Sequence, residues 1–179
     1  MLELAVEISE DVVGDRFKIS TAQWKRYRYD IKSLRDLSPE EITDLAYAQI
    51  LRYAQPPSLR TRVREWGEYY KICIQDHVIL RTIQSEPELE LFPFLIYVVT
   101  HELIHVVRFA RFLQSFYASE QERIQEESRV HEITHELLCK LPVRGIEKVL
   151  HFFHGSMQVE LFEDEKKPEI ARWIEQKLP

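Results

Sequence analysis

Cysteine and glycine are both scarce in this chain of 179 residues, which has two cysteines and four glycines. Cys73 and Cys139 lie far apart, so they form neither a disulfide framework nor a Cys-x-x-Cys metal site. Two isolated cysteines are typical of reduced thiols in a cytoplasmic protein, and we expect that location. The few glycines leave few positions for tight turns, which favours a helix-rich chain.

The chain also lacks a concentrated charge of one sign. Its net charge is −6 and is spread along the sequence, without the basic patch typical of nucleic-acid binding. The most basic stretch, residues 24–35, mixes lysine and arginine with aromatic residues and is better explained as the exposed face of an amphipathic helix. We therefore expect no nucleic-acid partner.

Long apolar runs are absent as well. The N-terminus shows no basic region followed by a long apolar stretch, so no signal peptide is predicted. The most apolar segment, LFPFLIYVVT at 91–100, is followed at once by His101 and Glu102. A membrane span of about 20 residues would carry these polar groups into lipid, so we expect no membrane partner.

Local patterns predict a mostly helical α+β chain. Ser38 and Glu41 form a capping box that predicts a helix over 38–55, ended by Pro56-Pro57, and an earlier helix is predicted at about 21–35. Residues 68–83 are rich in β-branched and aromatic side chains, which predicts a short hairpin or a strand with its continuation. Later helices are predicted at about 93–116, 119–141, 143–154 and 168–177, with a short strand between the last two.

These elements predict one domain. Its parts are a helical N-terminal part over about 1–67, a metal-site core over 68–142 and C-terminal helices over 143–179.

The stretch VVTHELIHVVRF at 98–109 places polar side chains inside an apolar helix. His101 and His105 are one turn apart on one face, which suits two ligands of a tetrahedral zinc ion. Glu102 lies about 100° round the helix, beside the metal, where it can act as a general base on zinc-bound water. Burial of these polar groups without a partner would cost roughly several kcal/mol. The pattern therefore favours a metal site over two histidines that merely belong to the core.

A third ligand is expected from the helix at 119–141. On a helical projection, Glu126 lies within the apolar face and Glu127 at its border. A carboxylate on the core-facing side is the natural ligand. We therefore predict Glu127, with Glu126 as the alternative.

The same helix repeats the His-Glu-x-x-His spelling at 131–135. The projection turns Glu132 away from the core, so this repeat is interpreted as a coincidence. His131 follows Glu127 by one turn and could hydrogen-bond a metal ligand from outside. His135 is a second candidate for that role or for stabilising an oxyanion, and His151 and His154 are further oxyanion candidates.

A strand, the helix with VVTHELIHVV and a following glutamate together resemble the gluzincin branch of the zincin fold. The stretch EESRVHEITHELLCKLP resembles the helix E-x-x-A-N-x-F-A-A-x-L-L of ImmA/IrrE-type metallopeptidases. The positions that match are Glu127, Val130, His131, Ile133, Leu137 and Leu138. The resemblance covers about 68–142 and departs from the family at His131 and His135.

This resemblance implies a zincin-like fold, with a small sheet or hairpin packed on the buried HExxH helix. It implies zinc held by His101, His105 and Glu127, with Glu102 as the general base of a metallopeptidase. The strand near 69–75 would be an edge to which a peptide or protein substrate adds as an extra strand. Substrate identity, oligomeric state and regulation are not implied.

Two alternatives remain open. A carboxylate-bridged di-iron oxidoreductase could use the two Glu-x-x-His sequences, Glu102 with His105 and Glu132 with His135. A non-catalytic zincin-like binding or regulatory module could keep the metal for structure or lack it. One zinc, two irons or no metal would distinguish the three hypotheses.

Overall fold

Helix α4, Leu91–Ala110, is the element around which the rest of the chain is arranged. The structure is a computed structural model that describes residues 1–54, 68–115, 117–155 and 162–164. Every residue of α4 from Pro93 to Phe109 is buried, because the helix is covered on several sides. In the described residues helices predominate beside one small sheet, which confirms the predicted α+β class.

The sheet is mixed and has the strand order β1-β3-β2-β4. Its strands are β1 Tyr29–Lys32, β2 Ala48–Ala54, β3 Glu68–Ile74 and β4 Phe162–Asp164. β3 runs antiparallel to β2 and parallel to β1, while β2 runs parallel to β4. Tyr70 of β3 stacks on Phe109 of α4 with ring centroids 5.9 Å apart, which places α4 against this sheet.

The other helices pack around α4 or lead the chain towards it. They are α1 Leu2–Phe17, α2 Thr21–Trp24, α3 Asp76–Ser85, α5 Glu120–Leu138 and α6 Ile146–Gly155. α4, α5 and α6 confirm three of the predicted helices, and Ser119 begins α5 with a capping box to Glu122. The predicted helix at 168–177 lies outside the described residues.

Helix α1 packs on α4 through a face of small side chains. Ala5, Ser9 and Val13 are fully buried there, which lets the two helix backbones approach closely. The Ser9 hydroxyl donates to the Ile96 carbonyl oxygen at 3.4 Å and accepts from the Thr100 hydroxyl at 2.9 Å. These bonds satisfy polar groups in an otherwise apolar contact.

The predicted helix over 38–55 is wrong beyond its first turn. Ser38 and Glu41 do form the capping box, but the turn is a short 3-10 helix, Pro39–Glu41. The Gln75 side chain then accepts from the Thr43 amide at 3.1 Å and donates to the Glu41 carbonyl at 2.9 Å. The chain continues as β2 between β3 and β4, because pairing on both sides overrides a weak helix propensity.

Two further predictions need correction. The helix predicted at 21–35 is limited to α2, after which the chain becomes β1. The region 1–67 is thus not purely helical, since it contributes β1 and β2 to the sheet. In the segment 68–83, the strand is confirmed as β3, but residues from Asp76 onward form α3. Asp76 lies in the first turn of α3, and its carboxylate accepts a hydrogen bond from the Leu34 amide.

The buried carboxylate of Glu41 generates a stability prediction. It accepts hydrogen bonds from Lys71, from the Tyr53 hydroxyl and from the Ser38 amide. Burial alone would raise its pKa, but these donors, with the Lys71 charge, hold the pKa below the ordinary 4.5.

We expect Glu41→Gln to lower the free energy of unfolding at pH 7 by about 1–3 kcal/mol in urea titrations, because it breaks bonds to a charged group. A lowered folded-state pKa stabilises the protein above the unfolded pKa and is lost as pH falls. The difference from wild type should therefore shrink below pH 4.5. Glu40→Gln, at an exposed neighbour, is the control. An equal loss in both variants, or a loss that persists in acid, would contradict the assignment.

Candidate metal centre

The interface between α4 and α5 brings two imidazoles and one carboxylate together. His101 Nε2 and His105 Nε2 are 3.1 Å apart, because positions i and i+4 share one face of α4. Glu127 Oε1 lies 2.9 Å from His101 Nε2, and Glu127 Oε2 lies 3.3 Å from His105 Nε2. One ligand atom from each residue falls within 4.8 Å of the others.

This group, His101, His105 and Glu127, is buried. The three residues are 1%, 0% and 4% exposed. Burial alone would raise the pKa of the Glu127 carboxyl, but the charge of His101 and the close contacts of His101, His105 and His131 hold it well below its usual range. The carboxylate is therefore ionised beside two imidazole nitrogens, and the group could hold a metal ion.

Glu102 is also a buried residue of α4, but it lies on a different face of the helix from His101 and His105. It is 1% exposed and follows His101 directly, which turns it about 100° from the ligand face. Burial raises the pKa of the Cys73 thiol on β3 to about 12, and the charges of Glu41 and Glu102 add to that effect. Glu102 therefore lies close enough to β3 to act on its side chains electrostatically.

His131 contacts both Glu127 of this group and Tyr97 of α4. Its Nε2 lies 3.1 Å from Glu127 Oε1, and its Nδ1 lies 2.6 Å from the Tyr97 hydroxyl oxygen. The first is a close contact between an imidazole and a carboxylate, and the second is a hydrogen bond between the imidazole and the phenol. The contact to Glu127 follows from the spacing of one helical turn between the two residues on α5.

The alternative third ligand, Glu126, is used elsewhere. Its carboxylate forms a two-armed ion pair with the Arg108 guanidinium, in which Arg108 Nη2 donates to Glu126 Oε2 at 3.1 Å. Both residues are more than nine-tenths buried. The structure therefore brings Glu127, and not Glu126, to the two histidines.

The residues of the second His-Glu-x-x-His sequence lie in two different environments, one beside Glu127 and one at the surface. His131 reaches Glu127, whereas Glu132 and His135 are exposed. His151 and His154 on α6 are exposed as well. Across the described ranges, His101, His105 and Glu127 are the one set of three or more His, Cys, Asp or Glu side chains arranged to hold a metal. The two Glu-x-x-His pairs of the di-iron hypothesis are not brought together.

The predicted substrate edge at 69–75 is wrong. β3 is paired on both sides, to β1 from Tyr29 to Lys32 and to β2 from Ala48 to Ala54. An interior strand has no free backbone groups with which to bind an added strand. The error arises because a sequence pattern identifies a strand but not its neighbours in the sheet.

Two residues that sequence reasoning overlooked complete the surroundings. Tyr97 precedes His101 by one turn of α4, and Arg108 follows His105 by three residues, so both lie near the ligand face. That spacing was a usable signal, since a polar group in a buried apolar helix requires a partner. Their partners on α5 are His131, which shares the helix face of Glu127, and Glu126, which directly precedes Glu127.

Comparison of the chain with protein-family models, with curated proteins and with solved structures finds no match. Helix α4 is long and apolar enough to cross a membrane by length and composition, but 89% of its apolar window is buried inside the protein. Burial of that kind is typical of a core helix. The function is therefore inferred from the chemistry of the candidate metal centre.

The Arg108–Glu126 pair generates a prediction about the α4–α5 interface. Glu126→Ala should lower the free energy of unfolding by about 3–5 kcal/mol, because it leaves a buried guanidinium without its counter-charge. Chemical denaturation measures the effect. The double variant Arg108→Met/Glu126→Ala should recover much of the loss. Glu132→Ala, on the exposed side of α5, serves as the control and should change stability by less than about 0.5 kcal/mol. A double variant as unstable as Glu126→Ala alone would refute this explanation.

Proposed function

We propose that this protein is a zinc-dependent metallopeptidase of the cytoplasm with a zincin-like, gluzincin-type site. The observation that carries the proposal is the convergence of His101, His105 and Glu127 within 4.8 Å, with Glu102 next to the first ligand on the same helix. This is the residue set by which HExxH enzymes hold zinc and position a general base. A peptide or protein substrate follows from the same resemblance.

The donor set supports zinc over other metals. Two imidazole nitrogens and one carboxylate oxygen are the protein ligands of a common type of catalytic zinc site, which keeps its fourth position for water or substrate. Calcium and magnesium prefer sites built from oxygen ligands alone. The short separation of the two imidazole nitrogens, 3.1 Å, brings them within reach of a single ion.

Each residue then has a distinct task. A zinc ion held by the three ligands would supply Lewis acidity that polarises a peptide carbonyl and acidifies the attacking water. Glu102 would take the proton of that water on its carboxylate while a carbon–oxygen bond forms. As the carbon–nitrogen bond breaks, Glu102 would return the proton to the leaving amine.

The shell around the ligands supports the same function. His131 Nε2 lies 3.1 Å from Glu127 Oε1, and the His131 ring is hydrogen-bonded to Tyr97 through Nδ1. Outer contacts of this kind orient metal ligands and increase affinity for the metal. His131 and Tyr97 would thus help to position the Glu127 carboxylate.

A second candidate is a non-catalytic binding or regulatory module with a structural metal. The deep burial of the ligands favours it, since His101 is 1% exposed and His105 is 0% exposed. Structural zinc sites are closed, whereas catalytic sites keep one position open. The two candidates differ in the role of Glu102, which only the peptidase requires.

The metal content of the purified protein tests the ligand set. Elemental analysis should find about one zinc per chain in wild type and in Glu102→Gln, because Glu102 is not a ligand. Glu127→Ala should lose most of its zinc, while the matched control Glu132→Ala, at the exposed face of α5, should retain it. Two irons per chain, or no metal in wild type, would refute the proposal.

Catalysis is tested separately on zinc-loaded protein with a set of fluorogenic peptides. Glu102→Gln should lower kcat at least about 100-fold with its zinc content unchanged, because the general base is lost. Equal activity in wild type and Glu102→Gln would refute the peptidase mechanism. Full zinc occupancy without any peptide cleavage would favour the structural module.

A further inference from the structure

A groove of about 580 Å³ runs between α5 and α6, one residue layer away from the metal centre. Its walls include His131 and His135 from α5 and Leu150, Phe153 and His154 from α6. A volume of this size is in the range of sites that enclose small ligands. The groove is therefore large enough for a short peptide segment.

A second, much smaller cavity of about 20 Å³ reaches one of the candidate ligands. Its lining includes His101 together with Tyr97, His131 and Phe153. The last three residues also line the groove. They form a single wall, called here the aromatic wall, with the groove on one side and the cavity beside a metal ligand on the other.

One residue of the aromatic wall is partly exposed to solvent. Tyr97 and Phe153 stack face to face with ring centroids 3.9 Å apart, and both are buried. The His131 side chain is 16% exposed, so it is the part of the wall that reaches solvent. His131 is also the member of the wall that contacts Glu127, at 3.1 Å, so it joins the groove to the candidate ligands.

The floor and the rim of the groove differ in polarity. Its floor is formed by the largely apolar side chains of Tyr97, Leu150 and Phe153, which are otherwise buried in the core. Its rim carries the exposed carboxylates of Glu132 and Glu136, and Glu136 Oε1 also lies 3.7 Å from Lys140 Nζ. A ligand that matches both has a large apolar group and a positive charge beside it.

We propose that this groove is the substrate-binding cleft of the metal centre, and that it binds a peptide with a large apolar side chain next to a lysine or arginine. The inference rests on the proposed peptidase function. The apolar side chain lies on the floor formed by Tyr97, Leu150 and Phe153. The basic residue lies against Glu132 and Glu136, and the peptide reaches the ligands past His131.

Cys139 provides a direct measurement of groove occupancy. It is exposed at the rim of the groove, whereas Cys73 is buried and its thiol pKa is raised to about 12. Iodoacetamide should therefore modify Cys139 selectively, and mass spectrometry measures the rate. The probes are acetohydroxamate, which reaches only the metal, and N-acetyl-arginyl-phenylalanine hydroxamate, which carries the same metal-binding group with both recognition elements.

On zinc-loaded protein, the arginyl-phenylalanine hydroxamate should bind at least about tenfold more tightly than acetohydroxamate, because its phenyl group is buried in the groove. At saturation it should slow alkylation of Cys139, and acetohydroxamate should not. If calorimetry shows that both probes bind but Cys139 reacts at an unchanged rate, the groove assignment is wrong while the metal centre stands. If the protein binds no zinc, the proposed function fails and the groove inference fails with it.

The charge preference is tested with a matched pair of variants. Wild type should bind the arginyl probe about fivefold more tightly than N-acetyl-glutamyl-phenylalanine hydroxamate. Glu132→Lys at the rim should remove or reverse this preference. Glu147→Lys, at an exposed position of α6 outside the groove lining, should leave it unchanged. An identical preference in both variants would overturn the assignment of the basic residue to this rim.

Discussion

The contacts between polar side chains of α4 and α5 are the interaction on which the rest of the structure depends. α4 is a buried apolar helix that nevertheless carries His101, Glu102 and His105. Buried polar groups destabilise a fold unless they are paired, so α4 requires a partner with a carboxylate at a matching position. Glu127 meets that requirement, and Glu126 meets the same requirement for Arg108 one turn further along α4. Two adjacent glutamates thus fix α5 against α4 through two separate contacts.

The remaining elements hold α4 in place by apolar packing. α1 covers it with small residues, and the sheet meets it through the stacking of Tyr70 on Phe109. Phe153 of α6 stacks on Tyr97, which places the Tyr97 hydroxyl beside His131. The apolar core therefore positions the polar centre, since each aromatic contact orients a side chain that reaches a ligand of the candidate metal centre.

In the proposed metallopeptidase, this arrangement would separate metal binding from substrate recognition. The candidate ligands lie inside the α4–α5 interface, where low exposure strengthens their electrostatic interactions. Recognition of a substrate would take place in the groove between α5 and α6, whose rim is exposed. His131 belongs to both regions, because its Nε2 contacts Glu127 while its ring lines the groove. A single side chain thus links the proposed chemistry to the proposed recognition.

Short-range patterns were sufficient to predict α4, α5 and α6, and helical periodicity placed Glu127 and Glu126 on the side of α5 that faces α4. These predictions succeed because residues three and four apart on a helix share a face whatever the rest of the chain does. Contacts between residues far apart in sequence decided that the chain forms the strand β2 and that β3 lies inside the sheet. They also decided that Glu127 lies beside His101 while Glu126 pairs with Arg108. Helix and strand propensities differ by only about 1 kcal/mol per residue, so strand pairing outweighs them in β2. The placement of Glu126 depends on its ion pair with Arg108, which no local pattern reveals.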